Sequence, residues 1–169
     1  MDLKKIYTDL LLNIGFEDKE IQQNWTELQK AYSKKSRYYH NLTHLEEMIE
    51  LFDQYKTQLQ KPDEILFSIF YHDIIYKVTR KDNELKSAEH AVKVLDQNSV
   101  LDKDLIFEAI CATQLHQHNK IEDINWLIDF DLKINQPKNG RIIKSILNKL
   151  EKNIVFIPTY STNPGVQKL

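Results

Sequence analysis

Glycine and proline are scarce in this chain, three and four residues among 169. So few turn formers favour long helices joined by short connections. A single cysteine, Cys111, excludes an internal disulfide and agrees with a reducing compartment, so the cytoplasm is the expected location. Neither sign of charge forms a long run and the net charge is −2, which removes the electrostatic case for a nucleic-acid polymer or a membrane surface as partner. No segment approaches the length of a membrane span. The first residues, Met1 to Lys5, lead into an amphipathic pattern rather than the apolar block of a signal peptide. Sequence repeats, low-complexity stretches and strand-like runs are also missing. What remains is long enough for one domain with a proper core, and residues 1–169 read as a single all-α, helical-bundle domain.

The apolar periodicity is helical almost throughout. Leu3, Ile6, Leu10 and Ile14 form a stripe that Gly15 stops. Ile21, Trp25, Leu28 and Tyr32 form a second. After a polar, basic and aromatic connection from Lys34 to Tyr39, a helix is expected from Asn41 or Thr43, where Thr43 and Glu46 have capping-box spacing. Its core face reads Leu45, Met48, Phe52, Tyr55 and Leu59. Pro62 and Asp63 open the most apolar stretch, Ile65 to Tyr76, read as one helix. Asp82 is the expected N-cap of a helix bearing Leu85, Ala88, Val92 and Leu95, and Asp102 that of one bearing Leu105, Ala109, Ala112 and Thr113. Ile124, Leu127 and Ile134 stripe a further helix, and Arg141 to Lys152 suits a last one.

Several polar residues sit awkwardly on these stripes. His72 and Asp73 lie on or beside the apolar face of the Ile65–Tyr76 stretch, and a carboxylate there needs a partner. A bound cation is one such partner. His44 lies one turn before Met48 and can point inward. Asp131 shares a face with Ile124 and Leu127, and His116 follows Ala109, Ala112 and Thr113. Two imidazoles and two carboxylates suit a hard-to-borderline divalent ion, and ligands drawn from separate helices are typical of metal sites inside helical bundles. Each residue alone has an ordinary reading: an inward histidine is usually a hydrogen-bonded core residue, and a helix-end histidine favours the C-terminal dipole. His40, His90 and His118 read as surface or loop residues, and Cys111 as a small core residue rather than a nucleophile.

Taken together, Arg37-Tyr38-Tyr39-His40-Asn41-Leu42-Thr43-His44, Tyr71-His72-Asp73-Ile74-Ile75-Tyr76 and Asp82-Asn83-Glu84-Leu85-Lys86-Ser87-Ala88 resemble the HD-domain superfamily of metal-dependent phosphohydrolases, and within it a small bacterial branch. That branch also has an Ala-Thr-x-x-His segment, here Ala112 to His116, and an Asp-x-Asp-Leu segment, here Asp129 to Leu132. The motif-bearing core spans about residues 37–132, in the order of the family. The resemblance implies a helical HD-type fold and a divalent ion (Mn, Mg, Zn, Fe, Co or Ni) held by His44, His72, Asp73 and Asp131, with Asp129 the alternative to Asp131.

The implied activity is hydrolysis of a small phosphate ester, a nucleotide by analogy with other superfamily members, through metal-activated water. Asp73, Glu84 and His116 are the candidate catalytic residues: Glu84 as general acid or base, His116 on a phosphate oxygen or a second ion. Arg37, Lys77 and Arg80 are the candidate phosphate binders. The oligomeric state stays open, a homodimer included. Two departures favour the alternative of a non-catalytic metal- or nucleotide-binding regulatory protein. Where some superfamily nucleotidases carry a catalytic Glu one turn after the His-Asp pair, this chain has Tyr76. The branch's extra helix after the Asp-x-Asp-Leu segment is replaced by the short stretch Lys133 to Asn139, which predicts either an open pocket wall or a break in the backbone there.

Overall fold

The computed structural model describes residues 1–34, 37, 40–95 and 99–133. These belong to the first of the two units into which the chain divides, Met1–Pro137. The expected connection beyond Lys133 (134–139), Ile134 of the last stripe among it, and the helix expected over Arg141 to Lys152 lie outside the described residues.

Seven α-helices are described: α1 Leu3–Asn13, α2 Asp18–Tyr32, α3 Leu42–Tyr55, α4 Pro62–Tyr71, α5 Asn83–Val94, α6 Lys103–Ala112 and α7 Glu122–Lys133. A short 3-10 turn, Lys56–Gln58, follows α3, and there is no strand among the described residues. None of these helices is long and apolar enough to cross a membrane.

The bundle is organised around α4, which packs against α1, α3, α5, α6 and α7. Every residue from Glu64 to Tyr71 is buried. A helix apolar on all sides is stable only when enclosed on all sides, which is what this arrangement supplies. Phe67 and Phe70 are fully buried, and truncating either to alanine would cost on the order of 3–5 kcal/mol. The Tyr7 and Tyr71 hydroxyls meet at 2.7 Å inside an aromatic cluster with Trp25 and Phe70. The entry to α4 is fixed by a carboxylate from α7: Asp123 accepts from the backbone N–H of Gln60 and of Lys61 at 3.0 and 2.7 Å. The buried Glu64 in turn accepts from the N–H of Asp102, at the start of α6.

The local rules hold at most helix ends. Gly15 takes φ 95°, and the N–H of Phe16 returns to the carbonyl of Leu11, closing α1 as a glycine-terminated helix closes. Asp102 caps α6 by accepting from Leu105 N–H at 3.0 Å. The cap of α3, however, is Asn41 rather than Thr43: its side chain accepts from the N–H groups of Thr43 and His44. Leu59 falls beyond α3, after the 3-10 turn. On α5 the buried face is Ser87, Ala88 and Ala91, while Leu85 is exposed. Small residues there let α5 lie close along α6.

The largest departure concerns the stretch Ile65 to Tyr76. The helix ends at Tyr71, and His72 is its C-cap. Groups from elsewhere in the chain take the backbone beyond that point. Arg37 donates to the carbonyls of Asp73 and Ile74 at 2.7 and 3.0 Å. Ser87 Oγ accepts from Ile75 N–H, and Asn83 both accepts from Lys77 N–H and donates to its carbonyl. With those backbone groups already bonded, the helical ladder cannot continue. His72 and Asp73 therefore occupy the end of the central helix rather than its side.

Candidate metal centre

Four elements deliver side chains to the C-terminal end of α4. His44 comes from the first turn of α3, and His72 and Asp73 from the end of α4 and the residue after it. Asp131 comes from α7, where it shares a face with Ile124 and Leu127. His116 follows α6 in a turn, with φ 51°, a left-handed conformation that costs a side chain about 1 kcal/mol or more. His40 precedes α3.

The groups converge. His44 Nε2 is 3.2 Å from His72 Nε2 and 3.3 Å from Asp131 Oδ1. His72 Nε2 is 3.3 Å from Asp73 Oδ2, and His116 Nε2 is 2.9 Å from Asp131 Oδ2. His40 Nδ1 stands against Asp73 Oδ2. Relative exposure is 2 % for His44, 1 % for His72, 5 % for Asp73 and 8 % for Asp131, so bulk water cannot balance the two carboxylates.

This set fits a divalent ion. His72 Nδ1 donates to the carbonyl of Ile69 at 2.8 Å, which leaves Nε2 as the free lone pair of a neutral ring. That lone pair faces His44 Nε2 and a carboxylate oxygen, an arrangement that either a cation or a proton on one of the rings balances. Asp73 Oδ2, though close to two ring nitrogens, makes no aligned hydrogen bond, and His44 Nδ1 is likewise unpartnered. With bonds of about 2.1 Å, neighbouring ligands of a tetrahedral or octahedral ion stand about 3.0–3.4 Å apart. The contacts at 3.2 and 3.3 Å match that edge.

Without a metal, a proton fills the cationic role. Burial disfavours the His72 imidazolium, but the charge and close contact of Asp73, together with Asp131, outweigh that and push the ring up to about 9. Burial likewise disfavours the Asp73 and Asp131 carboxylates. His72 and His40 around the first, and His116, His44 and His72 around the second, overcome it and hold both well below the usual carboxylate range.

The structure thus brings His44, His72, Asp73, Asp131 and His116 together. Asp131 faces the cluster; Asp129, two residues earlier on α7, does not share that face. The other expected site residues lie elsewhere. Arg37 is buried, with its guanidinium donating to the carbonyls of His40, Asp73 and Ile74 and lying 5.0 Å from the Tyr32 ring centre. It is a scaffold for the loop rather than an open phosphate binder. Arg80 grips Asp82 through two hydrogen bonds of 2.7 Å, and Lys77 is exposed. Glu84 is half-buried on α5, near enough to Cys111 to help raise its thiol, for which burial is the larger cause. It is not among the groups whose ligand atoms converge.

Sequence reasoning missed His40. Its neighbours in the chain are polar and aromatic, and no helical periodicity marks it as inward. The available signal was its four-residue spacing from His44, visible once Asn41 is taken as the cap.

A scan against protein-family models and searches of curated proteins and of solved structures found no match to this chain.

Proposed function

We propose that the protein is a metal-dependent phosphohydrolase of the HD-domain kind, acting on a small phosphate ester, with a nucleotide as the substrate class to test first. One observation carries the reading. The ligand atoms of His44, His72 and Asp131, from three helices, lie within 4.8 Å of one another in a buried site, Asp73 stands 3.3 Å from His72, and the tautomer of His72 is fixed by Ile69. The order of the motifs along residues 37–132, which resembles that superfamily, supplies the reaction class. When bound, a divalent ion supplies a water of lowered pKa as nucleophile toward phosphorus.

The chain's own groups divide the remaining work. His44, His72, Asp73 and Asp131 hold the ion. His116, with its side chain 35 % exposed, is the accessible imidazole, able to meet a phosphate oxygen while Asp131 orients its Nε2. Arg37 and Tyr32 hold the loop of Asp73: the Tyr32 hydroxyl accepts from Asp73 N–H and donates to the Phe70 carbonyl.

A binding protein without turnover is the second reading, favoured by the residue one turn beyond the His-Asp pair. Tyr76 stands there in place of an acid, with its ring 4.6 Å from that of His40. The test is a phosphatase screen on metal-reconstituted protein, using p-nitrophenyl phosphate and a nucleotide panel, with Asp73→Ala in parallel. Hydrolysis that requires both added metal and Asp73 supports the enzyme. Metal binding and nucleotide binding without hydrolysis favour the second reading, and absence of metal binding sinks both.

A further inference from the structure

A cavity of about 310 Å³ opens beside α5, and none of its lining residues belongs to the cluster at the end of α4. Its walls are Ile75 and Arg80 from the stretch after α4, and Lys86, Glu89, His90 and Lys93 from α5. Positions 86, 90 and 93 recur at helical spacing, so one stripe of α5 faces that stretch across the cavity. We propose that this cavity binds a small anion carrying more than one phosphate group. Nothing in this site requires the metal-dependent reading above.

Three observations support a built site. First, the charge is one-sided: the cations Arg80, Lys86 and Lys93 and the His90 imidazole surround the single carboxylate of Glu89. Lys93 makes no salt bridge among the described residues. Lys86 shares its charge with Glu89 at 2.7 Å. Arg80 holds Asp82 through Nε and Nη2, which leaves Nη1 uncommitted among the described residues. Solvated pairs of this kind are weak, and they yield to a ligand of higher charge. Second, His90 Nε2 is buried and makes no hydrogen bond; the Glu27 carboxylate of α2 stands 3.4 Å away. A phosphate oxygen in the cavity gives that nitrogen a partner. Third, the cavity is preformed and elongated. Ser87 Oγ accepts from the Ile75 N–H at 3.1 Å and donates to its carbonyl at 3.3 Å, which fixes the wall opposite α5. Lys86 and Lys93 lie two helical turns apart, about 10 Å along the axis, so one phosphate group cannot meet both. Ile75 and the methylene stems of the basic residues supply the apolar lining of a small-molecule site.

The experiment uses the full chain, stripped of metal with chelator and then freed of the chelator. Calorimetry compares pyrophosphate with inorganic phosphate, and backbone amide NMR maps where pyrophosphate acts. The wild type is expected to bind one equivalent of pyrophosphate, about ten-fold or more tighter than phosphate, with shifts centred on residues 75–93. Lys93 is exposed and Lys86 half-buried, and Lys93→Glu and Lys86→Glu are each expected to weaken binding about ten-fold or more. Lys19→Glu makes the same charge change at an exposed position of α2 outside the cavity, and its affinity is expected to stay within about two-fold of wild type. The site is overturned by a wild type that does not bind pyrophosphate, or by full affinity in both α5 variants. It is equally overturned by a loss in Lys19→Glu as large as theirs, which marks diffuse attraction, or by shifts gathered at His44, His72 and His116 instead.

Discussion

His116 and Asp131 are joined by a 2.9 Å contact between Nε2 and Oδ2, while the other oxygen of the same carboxylate faces His44 at 3.3 Å. His116 thus stands behind a proposed metal ligand, and it does so from a left-handed backbone. Removing the ring should weaken metal binding by about ten- to a hundred-fold, the usual effect of losing a group that orients a ligand. His116→Gly and His116→Ala should lose affinity alike in calorimetry. In metal-free buffer the glycine variant should melt higher than the alanine variant, because only glycine is unstrained at φ 51°. Equal melting temperatures would mean that the turn relaxes freely and that the strain is not held by the site.

The metal-free protein should be most stable in mildly acidic solution. His72 is raised from 6.5 to about 9, so its contribution is full below 6.5 and is lost as pH climbs through about 9. Asp73 and Asp131 are lowered from 3.8, so theirs is full above that value and is lost on further acidification. The plateau therefore lies between about 4 and 6.5. Metal reverses the alkaline arm, since it needs the deprotonated ring: its affinity should rise with pH until His72 has lost its competing proton. Melting curves from pH 4 to 9, with chelator and with added metal, check both arms. A chelated protein whose stability is flat between pH 6 and 9 would contradict this account.

Arg37→Lys should behave as a structural lesion. A lysine ammonium is a compact charge and cannot reproduce the planar fork that reaches the carbonyls of His40, Asp73 and Ile74 together. At least one buried carbonyl would be left unpaired, a cost of about 1–3 kcal/mol. Chemical denaturation of the metal-free variant should show that loss. Unchanged stability combined with a selective rise in KM for a phosphorylated substrate would restore Arg37 as a substrate-binding residue.

The helical architecture was readable from apolar periodicity, and so was the inward placement of His44, His72 and Asp131, because each lies on or at the end of a strongly marked stripe; that they belong to one set was implied only by the family resemblance. Asp102 as a cap was equally plain. Three features were hidden for one shared reason: they depend on bonds between residues distant in the chain. The helix expected through Tyr76 stops at Tyr71 because Arg37, Ser87 and Asn83 take its backbone groups. Arg37 looks like a surface cation until those carbonyls are seen around it. Leu85 fits an apolar stripe, yet α5 buries its small residues instead. His40 escaped because a residue outside any helix has no periodicity to expose it.

The distance in sequence between His40 and Asp131 has a consequence for the order of events as the chain folds. The cluster includes His44, near the start of α3, but it is incomplete until α7 has docked with Asp131. Closing a loop of that length is an entropic cost met late, after local helices have formed. His40, His44 and Asp73 need only the chain through Asp73. A chain still being synthesised can therefore bring His40, His44 and Asp73 together before Asp131 is in place beside His44 and His72.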